Sequence, residues 1–226
     1  MLMSVDGKIS TGDIDERDFD KDLPQIPGIQ EGLHQYYELE EQTDLYSFNS
    51  SKVLAKVGWN NQKENIEKLP VNFIIVDNQP HLTSVGIRNL CARTEGLFIV
   101  TTNKNHPALK ELGANIEVIY YEKEINFIDL FEKLKTKYQV ENLTVQSSEE
   151  LNSVLLRNKL IDKISIVIAP ALIGGRNTST LIDGSSLNSQ KDLSNIKALK
   201  FESITTLDNS YIHIKYCVKN DIEIQK

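Results

Sequence analysis

The chain reads as an α/β protein whose sheet is mostly parallel and ends in an antiparallel hairpin. Three observations point there. Short runs rich in Val, Ile, Leu and Phe at Val71–Val76, Leu97–Thr101, Ile116–Tyr121, Leu143–Gln146 and Ile164–Ala169 have the length and composition of buried strands. Helix caps and helical rhythm lie between several of them, and such alternation builds parallel sheets. Near the end the pattern changes: Leu199–Leu207 and Tyr211–Val218 face each other across Asp208-Asn209-Ser210, as a hairpin would.

Taken in order, Met1–Val5 reads as the end of a first strand, either short or lacking its beginning. Gly12–Gly28 is polar and acidic and holds Pro24 and Pro27, which is loop chemistry; its acidic cluster Asp13–Asp22 reads as a solvated loop. Ile29–Gln42 carries Ile29, Leu33, Tyr36 and Tyr37 in helical rhythm. Leu45–Phe48 reads as a short strand, Asn49-Ser50-Ser51-Lys52 as a polar turn, and Val53–Val57 as the start of a helix or short strand. Asn105-His106-Pro107 fits a helix start with Asn105 as N-cap, closed by Gly113. Asn126 caps a helix with Ile128, Phe131 and Leu134 on one face. Ser147-Ser148-Glu149-Glu150 matches a capping box ahead of Leu151, Val154, Leu155 and Leu156, in a helix reaching about Asn158. In the last strand Ile212, Ile214, Tyr216 and Val218 share one face, while Tyr211, His213, Lys215 and Cys217 share the other.

At 226 residues the chain fits one large domain or two small ones, and it can bury a sizeable core without disulfides. A net charge of −7 argues against a general nucleic-acid or anionic-membrane partner. No apolar run approaches a membrane span and no signal-peptide pattern is present, so the chain reads as cytoplasmic. Cys91 and Cys217 read as free thiols in a reducing compartment. His81, His106 and His213 show no metal-ligand spacing, no metal is expected, and His34 reads as a surface or boundary residue. Trp59 reads as core or interface.

The most informative stretch is Leu160–Gly184, LIDKISIVIAPALIGGRNTSTLIDG, in which a buried strand opens past Pro170 into a loop with Gly174, Gly175 and Arg176. Glycines there let a backbone approach a ligand or take positive φ, and the arginine can form a two-pronged contact with phosphate or carboxylate. At the other end, Ser4-Val5-Asp6-Gly7-Lys8 leaves the first strand in a sharp bend. Together, SVDGKIS and IAPALIGGRNTSTLIDG resemble the reductase domain of the riboflavin pathway, within the dihydrofolate-reductase-like superfamily. The likeness is strongest to the stand-alone reductases that act on a diaminopyrimidine carrying ribose phosphate.

The resemblance implies a single reductase domain over residues 1–226 with the dihydrofolate-reductase-like three-layer fold. It implies NADPH as cofactor, a phosphoribosylaminopyrimidine as substrate, and a homodimer. Asp6 and Lys8 are then the catalytic candidates. Ser4, Lys8 and Gln146 are the substrate-binding ones, and Asn49, Ser50, Asp77, Thr101, Ser147, Ser148, Glu149, Gly174, Gly175 and Arg176 the cofactor-binding ones. The opening turn and the diglycine loop are expected to converge on one cleft. A cofactor 2′-phosphate would want a cation, for which Lys52, Arg88, Lys104 and Arg176 are candidates. The apolar last strand gives a further reason to expect a dimer.

The chain departs from the family pattern in two places. Gln146-Ser147-Ser148 stands where relatives carry Glu-Gly-Gly, and Lys56-Val57-Gly58 stands where they carry an acidic residue and a proline. Two alternatives therefore stand beside the leading reading: a reductase of another small heterocycle or carbonyl compound, or a nucleotide-binding homologue without catalysis.

Overall fold

The structure, a computed structural model, describes residues 1–14, 16–111, 113 and 115–221. The chain forms two compact units, Met1–Gln42 with Ser148–Lys226, and Thr43–Ser147.

The first unit is built on a four-stranded sheet of β1 (Leu2–Ser4), β7 (Lys163–Ala169), β9 (Ile212–Lys219) and β8 (Ala198–Thr206), in that spatial order. β1 runs parallel to β7, with Leu2 opposite Val167 and Ser4 opposite Ala169. β9 runs antiparallel to both β7 and β8. The hairpin turn is a 3-10 turn at Asp208–Ser210. Its sharpness comes from Asn209 and Ser210, both at positive φ, which an Asn tolerates better than most residues. One sheet face is covered: Leu2, Val167, Ala169 and Tyr211 pack with Phe19, Leu23, Ile29 and Leu33 in a closed core. Tyr211 is fully buried, its hydroxyl donates to the Ile29 carbonyl at 2.8 Å, and its ring lies where a Cβ on Gly32 would come within 2.6 Å.

That core explains a correction. The acidic stretch expected as solvated loop holds a one-turn helix, α1 (Phe19–Asp22), followed by a 3-10 turn Leu23–Gln25. Asp18 caps it by accepting from the Asp20 N–H, and Asp22 accepts from the Thr11 hydroxyl and pairs with Arg17. The burial of Phe19 and Leu23 stabilises the turn where its polar sequence would not. The Ile29–Gln42 helix appears as a 3-10 turn Gln30–Gly32 and α2 (His34–Glu40), with His34 exposed.

A second correction concerns the sheet edge. The exposed edge is β8, not the last strand, which lies between β7 and β8. Leu199, Phe201 and Ile204 on β8 are 44%, 56% and 55% exposed. They stand opposite Val218, Tyr216 and Ile214, so an apolar strip runs across these two strands. Phe201 and Tyr216 meet edge to face at 6.0 Å.

The second unit is a five-stranded, fully parallel sheet in the order β5 (Ile116–Tyr120), β4 (Gly96–Thr101), β3 (Asn72–Val76), β2 (Tyr46–Ser50), β6 (Thr144–Gln146). Among the described residues, α3 (Ser51–Lys56), α4 (Ser84–Arg93) and α5 (Phe127–Thr136) accompany it. Ile75, Leu97 and Ile99 pack with Leu82, Ile87 and Leu90 from the α4 side. Phe48, Ile74, Leu130 and Leu134 are also buried, and the Phe48 and Phe131 rings meet at 6.2 Å. Strands covered on both faces carry unbroken apolar runs, which is why these were legible.

Several local expectations shift. Asn49 and Ser50 end β2 and Ser51 begins α3, so the expected polar turn is strand end and helix cap, with Ser50 accepting from the Val53 N–H. His106, not Asn105, caps the next turn, and it is 3-10 over Pro107–Lys110, ending before Gly113. Asn126 caps α5 as expected, but Ile128 is 55% exposed and Leu130 with Leu134 forms the buried face. The helix α6 (Glu149–Arg157), in the first unit, is capped at Ser148 without a side-chain bond, in place of the expected capping box from Ser147.

Candidate functional site

The opening turn is shaped by its own backbone. Gly7 has φ +82°, its N–H donates to the Ser4 carbonyl at 3.0 Å, and the Ser4 N–H donates to the Lys8 carbonyl at 2.8 Å. The turn then meets the loop that follows β7. The Val5 N–H donates to the Ala171 carbonyl at 2.9 Å, and the Ile9 N–H donates to the Ser179 carbonyl at 3.0 Å. Between these, the Asp6 carboxylate accepts from the Ile173 N–H at 3.1 Å and the Gly174 N–H at 2.6 Å. The Ser4 hydroxyl donates to the same carboxylate at 2.6 Å. The Lys8 ammonium donates to the Thr178 carbonyl at 2.7 Å. The two segments, 168 residues apart at Asp6 and Gly174, therefore come together as expected.

Asp6 is a clamp by this geometry. The Ser4 hydroxyl first, then the Gly174 and Ile173 N–H groups, hold its carboxyl at about 2, below the ordinary 3.8. All three donors favour the ionised form. With its oxygens committed to the loop, the carboxylate shapes Ile173–Gly174.

Both glycines of that loop are at positive φ, +73° at Gly174 and +80° at Gly175. A Cβ at Gly175 would lie 2.3 Å from the Thr178 hydroxyl, so that position is closed to any side chain. At Gly174 a Cβ would meet nothing within 4 Å, so the backbone there is open to approach. Arg176 follows, exposed.

The loop is in turn sewn to α6. Asp183 accepts from the Thr180 N–H at 3.1 Å and from its hydroxyl at 2.5 Å. The Asn152 side chain donates to the Leu181 carbonyl at 3.1 Å, and the Arg157 guanidinium to the Ser185 carbonyl at 2.7 Å. Gly184, at φ +113°, lets Ser153 pack where a Cβ would sit 2.8 Å from its hydroxyl. Ser148 and Glu149, at the N-terminus of α6, thus belong to the same braced unit as Asp6, Lys8 and Gly174–Arg176. The Ser148 hydroxyl is not spent on capping.

The remaining sequence candidates belong to the second unit, at the carboxyl ends of its strands. Asn49 and Gln146 are register partners on β2 and β6. The Asn49 amide donates to the Ser47 carbonyl at 3.0 Å, and Ser147 is buried. Thr101 donates its hydroxyl to the Asp77 carbonyl at 2.9 Å. Arg88, one of the cations considered for a 2′-phosphate, pairs with Glu111 at 2.9 Å.

Asp77 is more engaged than its place at a strand end suggested. One carboxylate oxygen accepts from the His81 N–H at 2.9 Å and lies 3.2 Å from His81 Nδ1. The other accepts from the Leu82 N–H at 3.1 Å and lies 3.1 Å from His106 Nε2. His106 Nδ1 accepts from the Ala108 N–H, which puts the ring proton on Nε2, facing Asp77. Burial raises the Asp77 carboxyl, but the His106 bond and the His81 and Leu82 amides outweigh it and the net shift is downward. Sequence reasoning passed over His81 and His106 because they lack metal spacing. The signal was the Asp77–His81 interval of four across a Pro80 turn.

Among the described residues no group of His, Cys, Asp and Glu could hold a metal ion, and no helix is long and apolar enough to cross a membrane. Cys91 and Cys217 are free thiols, as expected, and burial pushes the Cys91 thiol up to about 11.

Comparison with known proteins follows the same lines. The family model for the RibD C-terminal domain matches residues 1–213. A 2,5-diamino-6-ribosylamino-4(3H)-pyrimidinone 5′-phosphate reductase from Methanothermobacter thermautotrophicus is 25% identical over 198 residues, covering 84% of each chain. The riboflavin biosynthesis protein RibD of Buchnera aphidicola is 27% identical over 154 residues, which are 66% of this chain and 39% of that one. Among solved structures, Acinetobacter baumannii RibD superposes with a TM-score of 0.64 at 15% identity, over 97% of this chain and 56% of that one. The chain thus spans less than two thirds of these two RibD proteins. The Saccharomyces riboflavin biosynthesis reductase Rib7 superposes with a TM-score of 0.56 at 14% identity, over 96% and 87% of the two chains. These structural likenesses show the fold to be the α/β arrangement of the riboflavin-pathway reductases.

Proposed function

The chain belongs to the RibD C-terminal domain family, and from that premise we propose that it is an NADPH-dependent reductase of a phosphoribosylaminopyrimidine in riboflavin biosynthesis. One observation carries the reading beyond family membership. The Asp6 carboxylate joins the SVDGK turn to the diglycine loop through Ile173 and Gly174, so the two motifs form one braced platform.

The residues present suit a dinucleotide phosphate. The exposed Arg176 and the N-terminus of α6, where the Ser148 side chain makes no cap bond, offer side-chain and backbone donors to an anion, and Gly174, whose N–H is held by Asp6, leaves room for its approach. NADPH, when bound, supplies the hydride, and the protein supplies position and electrostatics. Lys8, tethered by one bond to Thr178, keeps further donors for the substrate phosphate. Asp6 serves by holding the loop, and Ser4 by holding Asp6. Lys8, Ser4 and Gln146 remain the substrate candidates, and Asn49, Ser50, Asp77, Thr101 and Ser147 the cofactor candidates of the second unit.

We propose a homodimer in the cytoplasm. The free thiols support a reducing compartment. The strip of Leu199, Phe201 and Ile204 on the edge strand supports self-association, because monomers seldom leave such a strip in water.

The test is NADPH oxidation followed at the nicotinamide absorbance with the diaminopyrimidine ribose phosphate, and mass analysis for the ribityl product. Turnover supports the reading; tight cofactor binding without turnover rejects this substrate. A different small heterocycle is the second reading. It is favoured by Lys56-Val57-Gly58, where α3 ends with Val57 exposed and no acid is present, and a pterin and carbonyl screen separates the two.

A further inference from the structure

The end of the first unit's sheet away from the platform carries charge that the platform does not use. Register sets Ser165 on β7 opposite Lys215 on β9, and Lys215 opposite Ser203 on β8. Two residues along each strand pair, Lys163 stands opposite Cys217, and Cys217 opposite Lys200. Register partners share a sheet face, with strands about 4.8 Å apart and alternate residues about 7 Å apart along a strand, so three ammonium stems rise around one spot. Lys163, Lys200, Lys215 and Ser165 are all exposed. The chain as a whole carries −7, so cations gathered on one face run against its overall charge. Glu202 is the carboxylate that reaches them, 3.3 Å from Lys163.

His213 lies two residues before Lys215 on the same face of β9. It is 8% exposed, and Ser165 Oγ stands 2.8 Å from its Nε2. Among the described residues the charges acting on this ring are Lys215, on its own strand, and the Met1 amino group ahead of β1, with Glu40 of α2 near that amine. Burial first, then these two cations, hold the imidazole below its ordinary 6.5. A buried imidazole set among cations and bonded to an exposed hydroxyl is an arrangement that an anion completes.

We propose that the face formed by Lys163, Lys200 and Lys215, with the Ser165 hydroxyl and His213 behind it, binds the phosphate group of a small phosphomonoester. Lys215 and Ser165 donate to the phosphate oxygens, and Lys163 and Lys200 flank them. The arriving dianion offsets the charge that disfavours protonation of His213, so the ring takes up a proton from solvent. It then donates Nε2–H to Ser165 Oγ, which leaves the Ser165 hydroxyl proton for the ligand. His213 is a positioning residue, acting on the ligand through Ser165. Such binding requires no reductase activity.

The test is nuclear magnetic resonance titration of the full chain with inorganic phosphate and with glycerol phosphate, against sodium chloride at matched ionic strength. The imidazole signals of His213, identified by their loss in His213→Gln, report this face alone, so phosphate bound elsewhere does not register. Both phosphates are expected to shift these signals saturably and to move the His213 titration midpoint upward, while chloride does neither. Lys215→Ala weakens the binding by about tenfold, the scale of one hydrogen bond between charged groups. Glu202→Gln removes the carboxylate that competes for Lys163 and tightens it. His213 signals that ignore both phosphates, or that answer chloride equally, overturn the proposal. So does glycerol phosphate failing where inorganic phosphate binds, or unchanged affinity in a Lys215→Ala protein that melts like wild type. If Lys215→Ala does not fold, Glu202→Gln decides: affinity that fails to rise overturns the proposal.

Discussion

Asp6→Asn separates a clamp from a group that acts on substrate. The carboxylate accepts three hydrogen bonds, at 2.6 Å from Ser4, 3.1 Å from Ile173 and 2.6 Å from Gly174. Bonds to a charged acceptor contribute about 1.5–3 kcal/mol when desolvated, but Asp6 is exposed, so about 0.5 kcal/mol each is the appropriate scale. Asparagine keeps one acceptor and turns an amide group toward N–H donors. The variant therefore loses about 1 kcal/mol, or roughly 2–4 °C in melting temperature for a chain of this size. A loop that must be re-formed on binding transfers a similar cost to the cofactor, a roughly five- to tenfold weaker Kd for NADPH. The pH dependence has a definite sign. The folded carboxyl titrates at about 2 against an ordinary 3.8. The stabilisation is thus complete above about pH 4 and fades as pH falls toward 2, so the gap between wild type and variant closes on the acid side. Thermal unfolding across that range and calorimetric NADPH titration measure both effects. If Asp6→Asn abolished turnover while leaving melting and NADPH affinity untouched, the clamp assignment would be wrong and Asp6 would act on substrate.

Other outcomes follow from the same geometry. Gly32→Ala drives a Cβ to within 2.6 Å of the buried Tyr211 ring and should cost about 1–3 kcal/mol in denaturant unfolding. His106→Ala strips a donor from the buried Asp77 carboxylate and leaves a cavity, for a loss of about 3 kcal/mol. Because Asp77 is held below its ordinary value in the fold, its contribution is present above about pH 4 and lost on acidification. Acid unfolding of His106→Ala should therefore begin at higher pH than in wild type, as followed by circular dichroism. Phe201→Glu combined with Ile204→Glu places charges on the apolar strip of β8; light scattering should then report a monomer where wild type gives a dimer.

The parts of the fold that were legible in the sequence are those where one physical cause dominates. β3, β4, β5 and β7 show as apolar runs because both faces or one deep face are covered, and α5 shows because Asn126 caps it. Helix α4 was missed because its inward side is not uniformly apolar: Gly86 packs against Asn60, and buried Asn89 donates to the Trp59 and Asn61 carbonyls at 2.8 Å. The turn at Phe19–Asp22 was hidden because burial of Phe19 and Leu23 in a core shared with distant residues, not local propensity, stabilises it. In the candidate site, the motif at each end and the convergence of the two were readable. That Asp6 would be spent on Gly174 was not, since no local pattern reports a bond across 168 residues. His81 escaped notice because its partner, Ser51, lies at the end of a different strand.

Hydrogen exchange on NADPH addition addresses the platform itself. If the braced turn and loop hold the cofactor, saturating NADPH slows amide exchange at Gly174–Arg176 and across Ser4–Lys8 together, and Asp6→Asn weakens both effects in parallel. Saturation that leaves those two segments exchanging as in the free protein would contradict the account.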